Sequence, residues 1–333
     1  MTFYNDIYPF YYVPRTPFIF NLDLLTVILV FLVCAAIFLL ILPGIRGKSR
    51  LLWMFRVLIS LFIGAVIVAV NFSSDWAAAS MKANTTYKSF SNAFVNAEIG
   101  LHVGLSGINV TLKGNPVMQL NETIDYNEMF EWTGSVDEDY SDALERGLPN
   151  PILYIAEKFT ENSPCGLYFQ YRYSGRYASA TMWTAFCCWL VANVLFSMPV
   201  IHYAGYMMVA TAAFIFFALA SFSTVRNLPA CVFTIGTASF ETVYSSSFWL
   251  ALATGLLCAL IGILVVVLNC LIPERMKDAF SVGVDDEEED SKDIPLPEGY
   301  LNTNFLEGVT TLSPVNISFS GNTKTEGLLT KSI

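Results

Sequence analysis

Charge is scarce along this chain, and histidine scarcer still. Its 333 residues include 18 Lys and Arg, 28 Asp and Glu and 2 His, so 14% are charged and the net charge is −10. No basic face is visible of the kind that phosphate contacts require, which argues against nucleic acid as a partner. The histidines, His102 and His202, fall on opposite sides of the membrane in the topology below and cannot share a metal or a haem. A nucleophile elbow, a P-loop, an H-E-x-x-H pair and a C-x-x-C pair are all missing. The apolar runs also lack the paired acids that mark ion or proton pathways, and Asp23 and Asn193 are their only polar candidates. Catalysis and transport have little to stand on, which leaves an interaction protein.

What the chain does have is apolar length. It is 54% hydrophobic with a mean hydropathy of +0.52, too oily for a soluble protein of this size. Runs of about 18 or more apolar residues read as membrane spans. They lie at 22–42, 51–72, 178–198, 206–225 and 248–272. The fold class is therefore an α-helical bundle of five transmembrane helices with a β-rich domain inserted between the second and third. Five spans put the termini on opposite sides. Residues 1–21 lack a basic n-region and an apolar h-region, so the first span is expected to act as an uncleaved signal anchor. Arg46, Lys48, Arg50 and Arg56 cluster at 43–56 without an acid, as expected of a cytoplasmic loop. The N-terminus is then outside and the C-terminus inside. Arg172 and Arg176, just before the third span, lean the other way. The turn at 199–205, without Lys or Arg, is neutral on this point.

The insert at 73–177 carries the acceptor triplets Asn84-Thr85-Thr86, Asn109-Val110-Thr111 and Asn121-Glu122-Thr123, a sign that it faces the secretory lumen. A fourth triplet at Asn71 lies too close to the bilayer for use. From Glu98 the apolar residues alternate: Ile99, Leu101, Val103, Leu105, then Ile108, Val110 and Leu112. With Ser106-Gly107 as turn signal, this predicts a β-hairpin with one buried face. His102 is out of phase and is expected to face solvent. Asp139 to Arg146 before Gly147, and Ile152 to Phe159, predict short helices.

Five of the seven cysteines, Cys34, Cys187, Cys188, Cys258 and Cys270, fall within spans as small packing residues. Cys165 and Cys231, the latter in the loop 226–247, are the two on the lumenal side. An oxidising compartment makes their disulfide the default, worth about 4 kcal/mol on the chain-entropy model. Arg56 either snorkels to the cytoplasmic face or pairs with an acid on a partner helix. The N-terminal arm is rich in proline and in aromatics, among them Tyr8, Phe10, Tyr11 and Tyr12. It has two readings: rings resting in the membrane interface, or an extended strip that docks on a partner. The tail 273–333, with its acidic run Asp285 to Asp290, reads as disordered.

Several stretches together resemble the dual oxidase maturation factors. They are the run from Ile41 to Lys48 (ILPGIRGK), Leu61 to Trp76 (LFIGAVIVAVNFSSDW), Gly104 to Thr123, Gly147-Leu148-Pro149 through Phe159, and Ser163 to Tyr168 (SPCGLY). The resemblance implies five spans, an external N-terminus and a claudin-like lumenal domain. It also implies a non-enzymatic accessory subunit that pairs with a dual oxidase, an NADPH oxidase of the membrane. Such a factor takes the oxidase out of the endoplasmic reticulum to the plasma membrane and supports hydrogen peroxide production. Flavin, haem and NADPH would belong to the oxidase, so no cofactor is expected here. A claudin-like adhesion or barrier protein is the alternative. The fifth span and the single loop cysteine, Cys165, count against it.

Overall fold

The computed structural model describes residues 22–41, 50–89, 92–132, 134–164, 166–198, 201–227, 233–235, 238–240 and 242–272. All of them belong to the first of two units, Met1–Gly283 and Val284–Ile333. Among the described residues five helices are long and apolar enough to cross a membrane. They are α1 (Leu22–Ile41), α2 (Arg50–Phe72), α5 (Leu167–Phe196), α6 (Ile201–Ser223) and α7 (Ser246–Leu271). Two short helices, α3 (Val136–Glu145) and α4 (Asn150–Lys158), lie between α2 and α5. The chain is a multi-pass membrane protein.

No residue of α1 is buried by the rest of the protein, so its apolar sheath is left for lipid. The bundle proper is α2, α5, α6 and α7. In lipid no hydrophobic force draws helices together, and close approach at small residues does so instead. A Cβ added at Gly262 of α7 would lie 2.9 Å from the Val209 nitrogen and 3.0 Å from the Gly205 carbonyl oxygen of α6. Gly64 of α2 likewise leaves room for the Trp189 ring of α5. Ser60 donates a hydrogen bond to the Asn193 amide oxygen across the α2–α5 contact. Arg56 lies with its guanidinium carbon 5.3 Å from the centre of the Phe196 ring.

Between α2 and α5 the chain forms a five-stranded antiparallel sheet in the order β4-β3-β2-β1-β7. Its strands are β1 (Ala77–Thr86), β2 (Phe94–Val103), β3 (Gly107–Gln119), β4 (Glu122–Glu131) and, from just before α7, β7 (Val243–Tyr244). β5 (Phe233–Ile235) and β6 (Ala238–Phe240) pair separately. The predicted hairpin is β2–β3, with Leu101 opposite Val110 and Ile99 opposite Leu112. Alternation puts Val95, Ala97, Ile99, Leu101 and Val103 inside with Ile108, Val110 and Leu112. Strands β1 and β4, which sequence reading did not single out, add Ala77, Ala79, Met81, Ile124, Tyr126 and Phe130 to the same face.

This face is covered by Ile152, Ile155 and Ala156 of α4, by Phe159 just after it, and by the start of α5, where Tyr168 and Tyr171 are buried. Ser135 caps α3, its hydroxyl accepting from the Glu138 N–H, with Asp137, Glu138 and Asp139 in the first turn to complement the helix dipole. Gly147, at φ +67°, takes the left-handed position after it.

Two of the span boundaries differ from expectation. The third helix begins at Leu167, eleven residues before 178, and the fourth at Ile201, five before 206. In the third, residues 167–177 carry polar groups and look like loop. They are helical because Leu167, Tyr168, Tyr171, Ser174 and Gly175 pack under the sheet. At Gly175 an added Cβ would lie 2.5 Å from the Leu105 carbonyl oxygen, so this contact is backbone against backbone.

Candidate functional site

The sheet is seated on the helices through two residues that follow α2, Asp75 and Trp76. Trp76 is fully buried, its ring 5.1 Å from Phe222 of α6 and 6.3 Å from Phe248 of α7, centre to centre. Its indole N–H donates to the Val70 carbonyl at 2.9 Å, which occupies an acceptor in the last turn of α2. Its own backbone N–H donates to Val103 at 2.9 Å, and its carbonyl accepts from Ser245 at 3.0 Å. One residue thus ties β2, α2, α6 and α7 together.

Asp75 makes the polar half of the seat. One carboxylate oxygen lies 3.1 Å from His102 Nδ1, and the other accepts from the Ser246 hydroxyl at 2.5 Å. Beside them Ser73 and Ser247 share a hydroxyl hydrogen bond of 2.6 Å. The hydrogen bond from His102, with those from the serines, outweighs partial burial and lowers the Asp75 carboxyl from 3.8 to about 2. His102 therefore does not face solvent as its phase in β2 suggests. The end of α2 brings an acid over it, with side-chain exposures of 23% for His102 and 20% for Asp75.

A carboxyl lowered in the folded state stabilises it above the unfolded value, and that contribution is lost as pH falls through the folded value. The seat is thus expected to weaken between pH 3.8 and about 2. Melting curves across this window should fall more steeply for the wild-type chain than for Asp75→Asn. Parallel curves would remove Asp75 from the acid response.

Elsewhere in the domain the buried Tyr87 shares a 2.8 Å hydrogen bond with the Tyr126 hydroxyl and donates to Glu122 at 2.8 Å. Burial and these neighbours push the Tyr87 hydroxyl far above its ordinary value. The backbone of Tyr87 also accepts from Asn150 at 2.9 Å, fixing the start of α4. On the β4 side, a cleft of about 520 Å³ is lined by Met129, Glu131, Asp139, Asp142 and Arg146. Arg146 is paired there with Asp142 at 2.9 Å and Glu128 at 3.2 Å. Met129 stands 42% exposed in it. This acidic and partly apolar flank is the kind of surface another protein can cover.

The acceptor asparagines differ in their surroundings. Asn84 on β1 and Asn121 in the β3–β4 turn are exposed. Asn109 is 6% exposed, flanked in the ladder by His102 and Met129, so a modifying enzyme reaches it only before these strands pair. Cys165 and Cys231, and Tyr8, Phe10, Tyr11 and Tyr12 of the arm, lie outside the described residues, as does the acidic tail. Among the described residues no group of three or more His, Cys, Asp or Glu is placed to hold a metal. Asp75, Trp76, Tyr87 and Trp132 were not singled out from sequence. A lone acid and a tryptophan directly after a span were the available signal for the first two.

A sequence profile described as "Dual oxidase maturation factor" matches residues 10–284. Dual oxidase maturation factor 2 of Mus musculus is 51% identical over 288 residues, covering 86% of this chain and 90% of that protein. Dual oxidase maturation factor 1 of Homo sapiens is 50% identical over 283 residues, 84% of this chain and 82% of the relative. A more distant relative, Dual oxidase maturation factor 1 of Caenorhabditis elegans, is 31% identical over 261 residues, 73% of this chain and 65% of its own. The match runs through all five membrane helices and the sheet seated on them, and the chain belongs to the dual oxidase maturation factor family.

Proposed function

We propose that this chain is a non-enzymatic accessory subunit that pairs with a dual oxidase. In this reading it escorts the oxidase from the endoplasmic reticulum to the plasma membrane and supports hydrogen peroxide release there. The observation that carries the reading is half-identity to named maturation factors over more than four-fifths of the chain. The alternative, a claudin-like adhesion protein, loses support to the same comparison.

The sheet domain is the proposed docking body and, in its strand-rich make-up, a claudin-like one. It is large enough to offer the roughly 800 Å² per side of a standard interface. The flank of Met129, Asp139 and Asp142 leads away from Asn84 and Asn121, where glycans would block a partner. Tyr8, Phe10, Tyr11 and Tyr12 have the aromatic chemistry of interface anchors and are assigned to the same partner.

The test is co-expression of the oxidase with three versions of the chain: full length, lacking residues 2–17, and with residues 73–164 replaced by an unrelated glycosylated loop. Surface oxidase and extracellular peroxide are then measured. The loop replacement should abolish both, and removal of the arm should reduce them. Delivery of active oxidase by the loop replacement would move recognition to the membrane helices. Peroxide made by the chain alone would overturn the non-enzymatic reading.

The sheet domain is assigned to the lumenal and extracellular side, with the N-terminus outside and the C-terminus in the cytoplasm. Endoglycosidase should then shift the protein on a gel, and the triple variant Asn84→Gln, Asn109→Gln, Asn121→Gln should run as one unshifted band. A wild-type chain without glycans in a glycosylating cell would argue against the topology.

Cys165 and Cys231 are assigned to one disulfide joining the end of the insert to the α6–α7 loop. Replacing either by serine is expected to lower stability by about 2–5 kcal/mol and to hold the protein in the endoplasmic reticulum. Peptide mapping without reductant that recovers both thiols free would dispose of the bond.

A further inference from the structure

Arg172 and Arg176 run against the usual distribution of basic residues in the topology proposed above, and the docking reading gives them no task. Four residues apart on α5, they share one helix face. Both line a cleft of about 390 Å³ where the end of α2, the β2–β3 turn, the end of β4 and α5 meet. Arg172 donates to the Tyr168 hydroxyl and lies over its ring at 5.3 Å, reaching Glu161 only at 3.9 Å. Arg176 is exposed and makes no ion pair among the described residues.

Two residues that line the cleft each carry a buried side-chain atom without a hydrogen-bond partner among the described residues: the indole N–H of Trp132, a residue only 4% exposed, and the amide oxygen of Asn71. Buried polar groups are ordinarily satisfied, so a donor and an acceptor left open in one cleft point to a ligand offering the complementary pair. Phe72 and Trp183 form the membrane-side wall, edge to face at 6.1 Å. Trp183 is 43% exposed. Aromatic rings at this level mark the depth of lipid headgroups.

We propose that this cleft binds a phospholipid with a primary-amine headgroup, phosphatidylethanolamine in chemical class, drawn from the leaflet on the sheet's side. Its phosphodiester sits between Arg172 and Arg176 and accepts from the Trp132 N–H, as guanidinium forks favour. Its ammonium donates to the Asn71 oxygen. An acyl chain passes Phe72 and Trp183 into the bilayer. Choline offers no N–H and leaves Asn71 unsatisfied, so the site discriminates between the two headgroups.

The test uses the full chain, purified in detergent without the oxidase, so that its result is independent of oxidase pairing. Native mass spectrometry measures lipid retained after incubation with dioleoyl phosphatidylethanolamine, dioleoyl phosphatidylcholine or dioleoylglycerol, and with phosphatidylethanolamine in competition with inorganic phosphate. Wild type is expected to hold a single phosphatidylethanolamine, with the choline lipid retained about tenfold less and the glyceride not at all. Arg176→Gln should lose about tenfold in retention with an unchanged melting temperature. Trp132→Phe, which removes an unpaired donor and keeps an aromatic side chain, should also lose retention without loss of fold.

Equal retention of the glyceride would make this an apolar slot, and displacement of the lipid by equimolar phosphate would make it a soluble-anion site. Equal retention of the choline lipid, or of any lipid by Arg176→Gln, would likewise overturn the proposal. So would a cleft empty of lipid in every arm whose Arg176→Gln variant no longer copurifies with the oxidase, since that marks a protein contact.

Discussion

Trp76→Ala is expected to unseat the sheet domain while leaving the five apolar helices able to insert. The side chain is fully buried, and removing a tryptophan from such a site costs about 3–5 kcal/mol, through lost transfer energy and the cavity left behind. The neighbours have little freedom to close that cavity. Phe222 and Phe248 belong to different helices, and the backbone of residue 76 is held from both sides by Val103 and Ser245. The indole bond to Val70 goes with the ring. Limited proteolysis should cut within 73–164 at conditions where the wild type is intact, and the variant should be retained in the endoplasmic reticulum. Trp76→Phe keeps most of the packing and loses the one hydrogen bond, at about 1 kcal/mol. If Trp76→Ala resisted protease like the wild type, the seat would have to lie in the Asp75 cluster alone.

Gly262→Leu should act on the other half of the molecule. At this position an added Cβ already meets the Val209 nitrogen and the Gly205 carbonyl oxygen, and backbone cannot rotate away as a side chain can. α7 would have to move off α6 by the width of a side chain, giving up packing along Ile215, Ala218 and Ala251. Forced overpacking costs about 1–3 kcal/mol in ordinary cores and more where backbone must shift; here about 3 kcal/mol or above is expected. Melting in detergent, followed by the fraction remaining monodisperse, is the measurement. Gly262→Ala should lower the midpoint less, and equal midpoints for the leucine variant and the wild type would show that the two helices are not in close contact.

The parts of this structure that sequence reading reached are those whose signals are local. Apolar length locates five helices to within a residue or two at most of their ends, and strict alternation finds β2 and β3. Strand β1, with the sequence AAASMKANTT, offers small and polar residues of weak strand preference. It is a strand because β2 and β7 flank it on both edges. β4 is masked by its acids: Glu122, Asp125 and Glu131 stay solvated along a sheet edge, and Glu128 is held by Arg146. Residues 167–177 give no span signal for the opposite reason: Tyr168 and Tyr171 look solvated until the sheet that buries them is present, while Tyr173 and Tyr177 stay exposed. His102 shows the same limit at a single residue. Its phase in β2 places it on the outer face, and only the tertiary fold places Asp75 there.

The continuity of α5 has a mechanical consequence. At 1.5 Å per residue its 30 residues extend about 45 Å, whereas the hydrocarbon core is about 30 Å thick. The surplus of about 15 Å rises beneath the sheet without a break in its hydrogen bonding, and its buried face is part of the domain's core. The domain is therefore carried on a rigid lever. A tilt of α5 by roughly 10° about its far end swings the upper end sideways by about 8 Å, a displacement that a flexible tether would absorb. Whatever grips the helices within the bilayer also aims the sheet domain above it.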